Sequence, residues 1–121
     1  MALILIVDDS PTEVHVMQRA LERSGYRTAV ANDGREGLRL AREMQPDLIF
    51  MDIVMPGMNG YQATRALISD PDTRDIPVIM VSSKGQSTDL IWGLRQGAVD
   101  YLVKPVSAQE LVEKAQALLA S

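Results

Sequence analysis

The chain has no cysteine, one histidine, one tryptophan and one phenylalanine among its 121 residues. Without thiols there is no disulfide framework, no thiol nucleophile and no thiolate metal site, and His15 alone cannot build an imidazole cage. Any metal chemistry falls to oxygen ligands. Long apolar runs are also missing. The opening MALILIV is short, carries no basic segment and runs straight into Asp8 and Asp9, so it matches neither a signal peptide nor a membrane span. A cytoplasmic protein without membrane contact is expected. Positive charge is the minority sign, 12 Lys and Arg against 16 Asp and Glu for a formal net charge of -4. With no basic cluster to track a phosphate backbone, nucleic acid is not an expected partner, and proteins or small anions are.

What is present suits one compact domain. Hydrophobic residues make up 46% of the chain and charged ones 23%, enough apolar surface to offset the entropy of ordering. Residues 1–121 read as a single domain with no repeat, no linker and no effector domain. Apolar runs of buried-strand type recur at Leu3 to Val7, Thr28 to Ala31, Leu48 to Met51, Val78 to Val81 and Val99 to Val103.

Between these runs lie segments with helical spacing and signalled ends. Ser10-Pro11-Thr12-Glu13 reads as a capping box with Pro at the first helical position, followed by an apolar face of Val14, Met17 and Leu21. The second helix starts near Asn32 or Asp33, buries Leu38, Ala41 and Met44, and ends before Pro46. The third follows Asn59-Gly60, draws on Ala63, Ala66 and Leu67, and ends near Asp70. The fourth opens at Ser87, uses Leu90, Ile91 and Leu94, and carries Gly93 at some cost. The fifth begins with a second capping box, Ser107 to Glu110, and carries a stripe of Leu111, Ala115, Leu118 and Leu119. Strands alternating with helices imply an α/β fold whose parallel sheet is covered on both faces, because parallel pairing requires long right-handed crossovers.

In such a sheet, ligands sit beyond the carboxyl ends of the strands. The first strand ends in Asp8 and Asp9, the third in Asp52, the fourth in Ser82 and Ser83, and the fifth in Lys104-Pro105. A strand order of 2-1-3-4-5 would make the first and third strands neighbours and bring three carboxylates together. Three negative charges in one crevice need a cation or a proton. Mg²⁺ is the simpler solution, since it takes oxygen ligands, usually one or two carboxylates with waters and a phosphate oxygen. Lys104 would then face a phosphoryl group, Ser82 would hydrogen-bond it, and Asp52 would be the nucleophile that becomes an aspartyl phosphate.

The segments ILIVDDS, DLIFMDIVMPGMNG, IPVIMVSS and GAVDYLVKP, in that order and at that spacing, resemble a response-regulator receiver domain over the whole chain. The resemblance implies a flavodoxin-like, doubly wound (βα)5 fold with sheet order 2-1-3-4-5. It implies Asp52 as phosphoacceptor, Asp9 as a direct Mg²⁺ ligand, Asp8 as a mostly water-mediated one and the Val54 carbonyl as another, with Mn²⁺ as a substitute ion. Ser82 would be the switch hydroxyl, Tyr101 the rotating aromatic, and Lys104 the phosphoryl-binding cation with its bond to Pro105 cis. A phosphohistidine kinase would be the donor, and the domain would catalyse its own phosphorylation at Asp52 and later dephosphorylation. Partner binding to a downstream protein would switch at the face made by the fourth helix, fifth strand and fifth helix, in a monomer or weak dimer. VDDSPTE, MDIVMPGMNGYQATR and WGLRQGAVDYLVKPV look like stand-alone regulators of the chemotaxis CheY type, and more particularly of the PilH type that controls twitching motility.

Two positions fall in the more variable part of that pattern. Ser82 stands where threonine is more usual, keeping the hydroxyl without the methyl, and Val54 offers no polar side chain to guide a hydrolytic water. Lys84 is placed to reach the phosphoryl oxygens instead. Three other functions compete. A partner-binding module of the same fold without phosphoryl chemistry would not need this full set of residues. A Mg²⁺-dependent aspartyl-phosphate hydrolase of the haloacid-dehalogenase kind needs a second acid where Val54 stands. A flavin carrier needs a phosphate-cradling loop where Asp8 and Asp9 would repel the phosphate. For single residues, plainer readings stay open: Ser82 and Ser83 as a strand-end cap, Tyr101 as a structural aromatic and Trp92 as a packed side chain. His15 reads as an ordinary helix residue and the methionines as core fillers.

Overall fold

The computed structural model describes residues 1–120. Five parallel strands, β1 (Leu3–Val7), β2 (Arg27–Ala31), β3 (Leu48–Asp52), β4 (Val78–Ser82) and β5 (Asp100–Val103), alternate with helices α1 (Pro11–Arg23), α2 (Gly34–Met44), α3 (Gly60–Ser69), α4 (Ser87–Arg95) and α5 (Ala108–Leu119). The sheet runs β2-β1-β3-β4-β5, the doubly wound order in which connections reverse beside β1 and β3. Strands β1, β3 and β4 are buried along their whole length, which explains their unbroken apolar runs, whereas edge strand β2 is exposed at Arg27 and fully buried only at Ala31.

Alternation along each strand splits the core in two. Ile4, Ile6, Phe50 and Val81 join Val14, Met17 and Leu21 of α1 and Leu111 and Ala115 of α5 on one face. Leu5, Val7, Ile49 and Met51 meet Ala41 of α2 and Ala63 and Leu67 of α3 on the other. A smaller cluster of Ile53, Met80, Ala98 and Tyr101 lies apart, with Leu90 of α4 packed against it.

Several local expectations change in the structure. Met44 is exposed at the end of α2, where Gln45 takes a left-handed conformation (φ 49°) ahead of Pro46. Val99 precedes β5 and is exposed. Leu118, expected on the buried stripe of α5, is also exposed. On α4, Ile91 and Leu94 face solvent and Gly93 is the buried position. A Cβ at Gly93 would lie 2.7 Å from Met80 Sδ and 3.1 Å from the Tyr101 ring, so this glycine sets how closely α4 approaches the sheet. Ser10 caps α1 by accepting the Glu13 N–H at 3.4 Å, but the Glu13 carboxylate bonds elsewhere and no reciprocal half of a capping box forms. Ser107 likewise accepts the Glu110 N–H at 3.0 Å without a returned bond. The reciprocal box occurs instead on α3, between Asn59 and Gln62.

Candidate functional site

Strands β1 and β3 pair in register with Val7 opposite Met51, so Asp8, one residue past β1, and Asp52, the last residue of β3, emerge side by side at the carboxyl edge of the sheet. Asp9 follows on the loop to α1. Carboxylate oxygens of Asp8, Asp9 and Asp52 all lie within 4.8 Å of one another, with Asp8 and Asp52 buried and Asp9 exposed. Lys104 reaches them from the far side of β4. Its Nζ stands 3.1 Å from Asp8 Oδ2, 3.4 Å from Asp52 Oδ1 and 2.6 Å from Glu13 Oε2. Its backbone N–H donates to the Ser82 carbonyl at 2.8 Å, which ties the turn to the end of β4, and the Lys104–Pro105 peptide is cis.

The environment shifts both charged partners. Burial, and then the neighbouring Asp8 carboxylate, push the Asp52 carboxyl up to about 6, against the pull of the Lys104 ammonium and the Ile53 N–H. For Lys104, burial alone would favour the neutral amine, but Glu13, Asp52 and Asp8 outweigh it and hold the ammonium above its ordinary value. The carboxylates outnumber the one ammonium, and two of them, Asp8 and Asp52, are buried where water screens their repulsion poorly. Three carboxylates with no nitrogen or sulfur donor among them suit a hard divalent cation such as Mg²⁺.

The loop after β3 is fixed by close backbone approach. The Gly60 N–H donates to the Ile53 carbonyl at 2.8 Å. A Cβ at Gly60 would collide with the Asp52 carbonyl oxygen and come within 2.8 Å of Ile53 Cα. Ile53 in turn donates its N–H to Asp52 Oδ1 at 2.9 Å, fixing the carboxylate's orientation. The glycine that starts α3 thereby governs where Asp52 sits.

On the β4 side, buried Ser82 accepts the Lys84 N–H on Oγ at 3.3 Å. The Tyr101 hydroxyl donates to the Lys84 carbonyl at 2.6 Å. Burial, reinforced by Tyr61, pushes that phenol up to about 12. Ser82 and Tyr101 therefore grip the same loop residue from two sides, and neither side chain bonds to the Asp52 carboxylate or the Lys104 ammonium. The side chains of Val54, Ser83 and Lys84 are exposed, as is His15. Trp92 is half-exposed and meets Tyr61 edge-on at 6.5 Å. Glu13 is the residue whose place here the sequence did not disclose. Its spacing from Ser10 marked it as a cap partner, and only the fold brings Lys104 within reach.

Comparison with known proteins points in one direction. A family model described as response regulator receiver domain matches residues 4–116. Protein PilH of Pseudomonas aeruginosa is 53% identical over 120 residues, 99% of each chain. The structure of chemotaxis protein CheY4 of Vibrio cholerae superposes with a TM-score of 0.92 at 31% identity, covering 98% of this chain and 99% of that one. The receiver domain of a Pseudomonas aeruginosa sensor histidine kinase, solved with a magnesium ion coordinated in its active site cleft, gives 0.91 at 32% identity, covering 99% and 98%. The chain also spans about half the length of DNA-binding response regulators that it matches at 38–41% identity.

Proposed function

The chain belongs to the response regulator receiver domain family, and from that premise we propose that it accepts a phosphoryl group on Asp52 from a phosphohistidine kinase and thereby switches its affinity for a downstream protein. The observation that carries this reading is the clustering of the Asp8, Asp9 and Asp52 carboxylates, two of which, Asp8 and Asp52, contact the ammonium of Lys104. Asp52 Oδ1 accepts both the Ile53 N–H and the Lys104 contact, which leaves Oδ2 as the attacking oxygen. The P–N bond to the donor imidazole breaks as the P–O bond to Asp52 forms, and the departing imidazole takes up a proton. A pKa near 6 makes Asp52 a stronger nucleophile than an ordinary carboxylate while leaving it mostly ionised at pH 7. Lys104 neutralises charge on the transferred oxygens, and catalysis is by positioning and electrostatics. Mg²⁺ or Mn²⁺, held by Asp8, Asp9, Asp52 and the Val54 backbone carbonyl, would supply further charge neutralisation.

The loop geometry supports a switch through Ser82 and Tyr101. A phosphoryl oxygen on Asp52 would accept a hydrogen bond from the Ser82 hydroxyl and draw in the loop whose Lys84 carbonyl holds Tyr101. Freed from that bond, Tyr101 can leave its buried place and change the face of α4, β5 and α5. That face already exposes Ile91, Trp92, Leu94, Val103 and Leu118, an apolar surface suited to a protein partner. Similarity to PilH supports a place in a chemosensory pathway controlling twitching motility. No helix among the described residues is long and apolar enough to cross a membrane, and a cytoplasmic, stand-alone protein acting as monomer or weak dimer fits this reading.

Incubation with Mg²⁺ and acetyl phosphate, followed by intact mass measurement, tests the proposal. One hydroxylamine-sensitive label per chain is expected, absent in Asp52→Asn and absent after chelation. A label retained in that variant refutes the assignment.

A further inference from the structure

Lys104 has three N–H donors and three carboxylate neighbours, and its closest contact lies outside the acid cluster. Glu13 Oε2 is 2.6 Å away, against 3.1 Å for Asp8 and 3.4 Å for Asp52. Lys104 is 14% exposed and Glu13 46%, so the ammonium is largely withdrawn from water while the carboxylate that holds it stands at the rim. We propose that Glu13 is a positioning residue that holds the Lys104 ammonium toward the rim and competes with incoming phosphoryl oxygens for it, setting how readily the site takes up an anionic donor.

The proposal rests on Asp52 being the phosphoacceptor. A phosphoryl group there needs a Lys104 donor, yet the longest of the three contacts is the one to Asp52. Drawing the ammonium inward means stretching its bond to Glu13. Glu13 also adds a negative charge at the mouth through which a dianionic donor must pass, so it opposes binding both by holding the lysine and by direct repulsion. Among the described residues Glu13 has no cationic partner besides Lys104. Both line a cavity of about 160 Å³ with Val16, Met17 and Pro105, and that wall offers Glu13 no substitute charge. The substitution that tests this is local, because the cap of α1 uses the Glu13 backbone N–H and not its side chain.

Glu13→Gln keeps the length and shape of the side chain and removes the charge. Initial rates of Asp52 labelling by acetyl phosphate in excess Mg²⁺ should show KM lowered roughly fivefold, the order expected for one half-buried ion pair, with kcat changed less than KM. High salt should shrink the difference, since screening weakens the charge in the wild type and has none to weaken in the variant. Glu13→Asp, with the charge kept, should return KM toward the wild-type value. A second readout needs neither metal nor donor. In the metal-free protein, the Lys104 ammonium should give a slowly exchanging ¹H–¹⁵N signal that is lost or shifted in Glu13→Gln. Equal KM values in labelled wild type and variant, or an unchanged ammonium signal, would refute the role of Glu13 alone. A wild type that takes no label at Asp52 would refute the phosphoacceptor reading as well.

Discussion

Replacing Asp52 with asparagine should stabilise the metal-free protein at neutral pH and leave its stability nearly unchanged near pH 4. A carboxyl with a native pKa of about 6, against an ordinary 3.8, binds its proton more tightly in the folded chain than in the unfolded one. Between those two values folding takes up a proton, so stability falls as pH rises through the window and the penalty is fully present above pH 6. This is the reverse of a salt-bridged surface carboxylate, which is stabilising when ionised. A rise of about two units, at about 1.4 kcal/mol each, amounts to about 3 kcal/mol. Burial and Asp8 generate it, and Lys104 offsets only part. Asparagine matches the shape of the protonated acid and keeps an oxygen for the Ile53 N–H, so the variant should escape the penalty without losing that bond.

Urea unfolding of both proteins in chelator, at unit steps from pH 4 to pH 8, measures the effect. Contributions from titrating groups remote from Asp52 cancel in the difference between the two curves, which leaves Asp52 and the neighbours coupled to it, Asp8 and Lys104. That difference should grow from near zero at pH 4 to about 3 kcal/mol at pH 8, about 10 °C in Tm for a domain of this size. Mg²⁺ should narrow the gap from the other side by stabilising the wild type. At ten times its Kd a bound ion adds about 1.4 kcal/mol, and Asp52→Asn, with one carboxylate fewer, should gain less. Parallel curves across the whole range would show that the acid cluster carries no charge strain and would undercut the argument that it is built for a cation.

Two further substitutions probe the scaffold around the site. Gly60→Ala forces a methyl group into the backbone of Asp52 and Ile53, neither of which can yield as a flexible side chain would. A loss of about 3 kcal/mol or more in urea unfolding is expected, together with impaired labelling of Asp52, whereas a stable and fully active variant would mean that α3 is not pinned there. Thr64 sits buried in α3 with its hydroxyl lacking any hydrogen-bond partner among the described residues. Thr64→Val keeps the shape and removes the unpaired polar atom, so a gain of about 1 kcal/mol, or about 4 °C in Tm, is expected. Destabilisation instead would show that the hydroxyl is satisfied in solution.

The strands and the acid cluster were legible in the sequence because both depend on short-range pattern and topology. An uninterrupted run such as Leu48 to Met51 carries the signal of a strand buried on two faces, and the aspartates at the ends of β1 and β3 converge once those strands are neighbours. What stayed illegible involves competition between a local partner and a distant one. Glu13 has the spacing of a capping box, and a local rule assigns its carboxylate to the backbone N–H of Ser10. The Ser10 N–H donates instead to Asp8 Oδ1 at 2.9 Å, and the Glu13 carboxylate pairs with a mostly buried ammonium 91 positions away in sequence, a charge-assisted bond that water screens little. On α4 the apolar residues Ile91 and Leu94 have the right spacing for a core face, yet hydropathy assigns a glycine no weight. Gly93 wins the buried position because its lack of a side chain lets the helix backbone approach Met80 and Tyr101. Side chains as large as Ile91 or Leu94 would hold the helix off the sheet at that point, so they turn outward beside half-exposed Trp92. Helical periodicity in this segment therefore records an apolar stripe left on the surface, not burial within the chain, and it could be read that way only after the position of the glycine was known.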